Sequence, residues 1–263
     1  MRSAVLTILL SGLNAFSQAT PRPSEYPTPM VREEQRIMVN GVREAWQLQW
    51  KAKPKPYCAP VALAFSCPCM GFAYGEAGDL FLIRLRSGIE LDRLQLTPLF
   101  DLKDGAVLQH WPTRAGDRAF EFDDSEDFPA VARIRRAVQV MHFADYDHDG
   151  RQTEFYLQTE ALPCGKSSGV LIGVSKINPQ LHVFSSASNP DKPLCLQMRE
   201  WEALRDASTG PVKVMDWQCG DHGAETQTEL QLDWSSDGVN VVRREYTCPT
   251  ENQPRQLIRE EPR

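Results

Sequence analysis

Directly after Asn40-Gly41, the residues Trp46, Leu48 and Trp50 alternate with polar ones. An Asn-Gly pair tolerates the left-handed backbone of a two-residue hairpin turn. Alternation at period two then places all three large side chains on one face of a strand. Ile37-Met38-Val39 precedes the turn, so the spacing predicts a hairpin of Ile37–Val39 with Val42–Trp50. Burial is worth most to large aromatic side chains, so these tryptophans are expected in a core and not on an exposed sugar platform.

Short runs of this kind continue along the chain. A strand pair is predicted over Phe72–Leu85, with Gly75–Asp79 as its turn. In residues 89–100 strand and helix periods compete. Asp104-Gly105 marks a turn before Ala106-Val107-Leu108. Val131–Phe143 reads as a strand buried on both sides, because Val138 and Val140 point one way and Met141 and Phe143 the other. Phe155-Tyr156-Leu157, Val170–Val174 and Leu181–Phe184 follow at short intervals, which predicts a four-stranded antiparallel meander. Asp191-Lys192-Pro193 is expected to cap a helix carrying Leu194, Met198, Trp201 and Leu204, stopped by Gly210-Pro211. Val212–Trp217, Thr226–Trp234 and Val239–Tyr246 return to strand texture. The fold class is all-β: antiparallel meanders forming a sandwich or partial propeller, with one short helix.

Arg2, the apolar run Ala4–Leu10 and the small residues Ser17-Gln18-Ala19 have the order of a secretory signal over residues 1–19. Residues 20–36, polar and Pro-rich, read as a flexible lead, residues 37–250 as the β-rich domain and 251–263 as a polar tail. Two packed subdomains would meet near residue 128. The chain is therefore expected to be exported, to the periplasm or beyond, where its seven cysteines form disulfides. Cys219 precedes one predicted strand and Cys248 follows its antiparallel partner, so these two are expected to pair. Cys164 with Cys195 is a second expectation. Cys67-Pro68-Cys69 is too tight for an easy mutual bridge, so one of the two, Cys67 in the favoured pairing, joins Cys58. With 35 acidic against 29 basic residues and a formal net charge of −6, the surface does not invite nucleic acid. No apolar run is long enough for an integral membrane span. The partner would be a protein or glycan ligand.

The chemistry is concentrated in Asp145-Tyr146-Asp147-His148-Asp149-Gly150-Arg151-Gln152-Thr153-Glu154. Calcium takes six to eight oxygens, and carboxylates at alternate positions of a tight loop converge on one point. Asp145, Asp147 and Asp149 hold those positions. Gly150 permits the sharp turn, and the Arg151 carbonyl falls where such loops supply the next oxygen. The twelfth position is Tyr156, which excludes an EF-hand, so Glu154 is expected to close the site. His148 should face solvent. The acidic run Glu121–Asp127 reads as a solvated loop.

From Val138 to Ser185, the Asp-x-Asp-x-Asp-Gly loop between two strands resembles a blade of the FG-GAP/VCBS family, the calcium-loop repeats of integrin-α-like propellers. The resemblance implies a structural calcium held by Asp145, Asp147 and Asp149. Family repeats place an acidic residue at position nine, where this chain has Thr153, with Glu154 one further. Little internal repetition accompanies the loop, so one degenerate blade is expected and not a full propeller.

Asp221, His222 and Glu225 gather at one turn beside Cys219 and suggest the alternative of a secreted metal-dependent hydrolase. An ordinary hairpin turn explains them more simply. No nucleophile elbow or phosphate loop is present. The expectation is a calcium-stabilised binding or surface-assembly module, with the hydrolase as the alternative.

Overall fold

The computed structural model describes residues 28–58, 74–103, 105–109, 138–161, 167–207 and 210–263. The chain opens with β1 (Met30–Val39) and β2 (Val42–Trp50), joined through Asn40 (φ 51°) and Gly41 (φ 76°). Both turn residues are left-handed, as the Asn-Gly pair predicts. It then leaves this sheet for β3 (Lys55–Cys58) and β4 (Tyr74–Gly78), and returns as β5 (Leu80–Arg86) and β6 (Ile89–Gln95). A single 3-10 turn, Thr97–Leu99, leads to β7 (Ala106–Gln109). The first sheet runs β1-β2-β5-β6 and a smaller one β3-β4-β7, all antiparallel.

β4 and β5 are therefore not the hairpin predicted around Gly75–Asp79. β4 pairs with β3 and β7, β5 with β2 and β6, and Asp79 alone separates them. The glycines that look like a turn lie inside a strand. β1 also begins within the stretch expected to be a flexible lead. Its outer side chains are polar, as an edge strand permits, and two of them hold a neighbouring segment. Arg32 Nη2 donates to the Val138 carbonyl at 2.6 Å, and the Glu33 carboxylate accepts from the Val140 and Met141 amides at 2.7 and 3.0 Å. Residues 138–143 consequently lie along β1 without joining a ladder, contrary to the strand expected there, although Met141 is buried.

The second half contains β8 (Glu154–Ala161), β9 (Ser167–Gly173), β10 (His182–Val183), β11 (Ser185–Ser186), β12 (Asn189–Pro193) and β13 (Leu196–Gln197). Next come α1 (Met198–Asp206), the one α-helix among the described residues, and β14 (Val212–Trp217), β15 (Thr226–Ser235), β16 (Gly238–Thr247) and β17 (Leu257–Pro262). β9 pairs with β8, β10 and β13. The last sheet runs β12-β11-β16-β15-β14, with β17 on β16.

The predicted helix start at Asp191–Pro193 is instead β12. Helix begins only at Met198, where the Gln197 amide donates to Glu200 Oε2 at 2.8 Å and so closes one end group of the first turn. Leu194 and Leu196 reach the core from extended backbone, while Trp201 and Leu204 reach it from the helix. The tail expected after residue 250 contributes β17. Cross-strand pairs Arg244–Glu260 (2.5 Å) and Arg243–Glu261 (3.4 Å) accompany its ladder, and Leu257 and Ile258 stay exposed. Pairing rather than burial puts it there.

Two apolar cores lie on opposite faces of the β8–β9 sheet. Phe155, Leu157, Val170 and Ile172 join Trp46, Leu48, Trp50 and Leu82 in the first. Leu171 joins Trp201, Leu204, Leu230 and Val241 in the second, with Tyr156 against it. The three residues of the opening alternation are fully buried, which settles core over platform. Each contributes on the order of 2 kcal/mol by leaving water. The first core draws on residues from both sides of position 128. Among the described residues the molecule is thus all-β, with one short helix, sheets that are antiparallel except for the β11–β16 pairing, and no sheet closed into a barrel. No described helix is long and apolar enough to cross a membrane.

Cys219 and Cys248 form a disulfide with Cα atoms 5.6 Å apart. The β15–β16 register, Thr226 opposite Thr247, brings both to one end of the sheet. A closed loop of 29 residues stabilises by about 3.6 kcal/mol in the chain-entropy picture. Cys195 is not in a disulfide among the described residues. Cys67, Cys69 and Cys164 lie outside the described residues, as do the signal segment and the Glu121–Asp127 run.

Candidate metal centre in the Asp145–Glu154 loop

The loop is closed at its base by a bridge between Ala144 and Glu154, with N–O distances of 2.9 and 3.3 Å. Within it, His148 (φ 58°) and Gly150 (φ 87°) are left-handed. These two reversals fold the chain tightly enough that one carboxylate oxygen from each of Asp145, Asp147 and Asp149 lies within 4.8 Å of the others. His148 is exposed, as expected, but its ring is anchored: Nε2 meets the Leu204 carbonyl near the end of α1 at 2.8 Å. The second core thereby holds the tip of the loop.

The three aspartates are not equivalent. Asp149 accepts from the Arg151 amide and the Lys176 amide, each at 2.9 Å, and is gripped by the Arg151 guanidinium. Burial pushes its pKa up, but the guanidinium and the two amides outweigh that and hold it below the usual carboxylate range. Asp147 accepts one amide bond, from Asp149 at 3.1 Å. Burial, with help from the charges of Asp149 and Asp145, pushes its pKa up to about 6. Asp145 Oδ2 accepts from the Gly150 amide at 2.9 Å, while its Oδ1 is buried with no hydrogen-bond partner.

Arg151 acts here through its side chain. Besides gripping Asp149, its Nη1 donates to Asn40 Oδ1 at 2.8 Å, tying the loop to the β1–β2 turn. Lys176 Nζ meets the Asp149 carbonyl. Asn40 and Lys176 come from distant parts of the chain, and nothing in the local spacing of the Asp motif points to either.

Glu154, expected to close an ion site, is turned elsewhere. Its carboxyl is not grouped with the three aspartates. Oε2 accepts from the Tyr146 amide at 3.0 Å, and Oε1 lies 2.5 Å from the Thr153 hydroxyl. That hydroxyl also lies 2.9 Å from the Val174 carbonyl. A hydroxyl has one proton. Given to Val174, which can only accept, it leaves Thr153 Oγ to accept from Glu154. Burial pushes the Glu154 pKa up to about 8, which supplies the proton this arrangement needs. Glu154 is then a neutral donor at the foot of β8. Sequence spacing misplaces it because the loop's closing position is decided by which residue enters the ladder first.

Of the other predicted site, Asp221 lies in a short 3-10 turn, Asp221–Gly223, and Cys219 is committed to its disulfide. The His222 side chain is outside the described ones. Neither Asp221 nor Glu225 joins a described group of three metal-ligating side chains.

No family model matches this chain, and no curated protein or solved structure matches it either.

Proposed function

We propose that the Asp145–Asp149 loop binds a calcium ion, and that the ion fixes the entry to β8 in an exported binding or surface-assembly module. One observation carries the reading: three carboxylates converge within 4.8 Å while Asp145 Oδ1 is buried without a partner. Crowded carboxylates repel, and a hard divalent cation with oxygen ligands relieves them. Asp145 and Asp147 are the principal ligands, since Asp149 is already held by Arg151. Backbone carbonyls, such as that of Arg151, and water complete the shell in place of Glu154. The loop keeps its likeness to FG-GAP/VCBS repeats in its three aspartates and its glycine. The Cys219–Cys248 disulfide supports an oxidising compartment, where calcium is plentiful.

Binding to the native state alone stabilises it by about 2.7 kcal/mol at a hundredfold excess over Kd. Melting is therefore expected to shift upward in calcium relative to chelator. The shift disappears in Asp147→Ala and Asp145→Ala and is only reduced in Asp149→Asn. An identical melting temperature with calcium and with chelator would sink the proposal.

A further inference from the structure

Beside the Asp loop lies an open cleft of about 410 Å³ that shares Asp147 and Asp149 with the proposed ion site. Its walls come from parts far apart in sequence: the tip of the Asp loop, the Ser175–Asn178 connection after β9, the β10–β11 segment and the Ser235–Gly238 turn between β15 and β16. Pockets for small molecules fall at roughly 300–1,000 Å³, so the size suits one.

One wall is aromatic. His182 and Phe184 have ring centroids 4.5 Å apart, and Phe184 meets Trp234 edge-on at 5.7 Å. Trp234 leans in turn towards Trp201 in the second core, at 6.4 Å, so the wall is rigidly backed. The rest of the lining is mostly polar. Asp147, Asp149 and Asp237 face the cavity, with Asn178, Ser235 and Ser236 beside them. Lys176 also lines it, with its amine on the Asp149 carbonyl.

This combination discriminates between ligand classes. With Asp149 paired to Arg151, the carboxylates of Asp147 and Asp237 stand against Lys176, so in the ion-free protein the cleft is net acidic and disfavours phosphate, sulfate and carboxylate groups. A wholly apolar ligand would strip water from those carboxylates without replacing its hydrogen bonds. A simple cation would need acceptors and aromatic faces alone. The Asn178 side-chain amide, however, adds donors, while the Ser235 and Ser236 hydroxyls already donate to the Gly238 carbonyl and to Asp237. Donors and acceptors beside aromatic rings match a ligand that has hydroxyl groups around its edge and C–H groups on its face.

We propose that this cavity is a binding site for a neutral saccharide. The sugar face lies against the Trp234 and Phe184 wall, and its hydroxyls pair with Asp237 and Asn178. The site does not require the calcium reading, since Asp237, Asn178 and Trp234 are outside the Asp loop.

The test uses the full chain on an array of immobilised neutral mono- and oligosaccharides, followed by tryptophan-fluorescence titration of the best binder. Titrations run in calcium and in chelator. Saturable binding of a neutral saccharide is expected. Trp234→Phe, which keeps a ring against Phe184, loses the fluorescence response. Asp237→Ala, at an exposed turn, weakens binding by about tenfold without changing the melting temperature. Binding that survives chelation stands even if the calcium proposal fails. Binding seen only in calcium also supports the site and adds the ion to it. Three results would each overturn the proposal: no neutral saccharide retained on the array, choline or glucuronate bound in preference to neutral sugars, or undiminished binding in both variants.

Discussion

Glu44 and Asp147 are both carboxylates drawn out of water, and the protein treats them in opposite ways. Glu44 is almost wholly buried in the first sheet. Arg84 reaches it through Nε at 3.0 Å and Nη2 at 3.2 Å, Arg86 at 2.8 Å, and the Trp46 indole at 3.1 Å. Burial pushes the Glu44 pKa up, but the two guanidinium groups outweigh it and hold the carboxyl below its usual range. In the Asp loop the only guanidinium goes to Asp149. Asp147 rises to about 6, and Asp145 Oδ1 is left without a partner. One cluster carries its own cations and is closed. The other has a deficit of positive charge at a point where oxygens converge, and it is on this deficit that the calcium proposal rests.

That contrast can be broken first at its closed end. Arg84→Met leaves Glu44 buried with Arg86 and Trp46 alone, and is expected to cost about 3–5 kcal/mol in urea unfolding. The Glu44→Met/Arg84→Met double variant should recover most of the loss, because the unpaired charge is the costly part. If the double variant is as unstable as the single, packing and not charge explains Glu44.

A control lies at the start of α1. Glu200 is buried, has no aspartate loop around it, and its Oε1 lacks a partner. Burial pushes its pKa up to about 7 from an ordinary 4.5. The folded state therefore holds a proton that the unfolded state releases. The group's penalty is absent below pH 4.5 and grows as pH rises towards 7. At roughly 1.4 kcal/mol per unit, the full penalty is about 3 kcal/mol at most. Glu200→Gln should flatten the decline in stability across that window, with the variants converging below it. A pH profile parallel to that of the unsubstituted protein would show that Glu200 does not titrate there.

The smallest effect concerns Asp147 without calcium. Asp147→Asn removes a carboxylate whose ionisation the fold opposes. After discount for its partial exposure, the ion-free protein should gain about 1 kcal/mol at neutral pH. Stabilised in chelator and unresponsive to calcium is the combination expected of a ligand. A loss of stability in chelator would mean that the carboxylate already has a partner of another kind.

What the residues disclosed in advance was mostly local. Asn40-Gly41 and Ser235–Gly238 carry their turn chemistry within a few residues, and both hairpins follow from it. Cys219 and Cys248 needed only the second hairpin's register. The alternation of Trp46, Leu48 and Trp50 needed only a burial rule. The missed features depend on partners far away. Gly75 and Gly78 read as turn residues because nothing nearby shows that β7 will pair with them. The polar face of β1 reads as a loose lead until Arg32 and Glu33 are seen holding residues 138–141. In the loop, the three aspartates and Gly150 were visible as a motif. The fate of Glu154 was not, because it depends on Thr153 and Val174 meeting just past the end of the β8–β9 ladder. The cavity walls come from four separate segments and leave no mark in any one of them.

β9 has consequences for how this protein can change over time. It is hydrogen-bonded along both edges, and its side chains enter the apolar cores on both faces. Loss of either core would strip it of one packed side, so the two cores should melt as one cooperative unit. Substitutions along β9 must satisfy two environments at once. Gly169 adds a third constraint, since a Cβ there would come within 2.1 Å of the Leu157 carbonyl. In a lineage of such chains, the exposed outer strands could drift widely while this strand stayed nearly fixed, and its short pattern of residues would be the part by which distant relatives recognise one another.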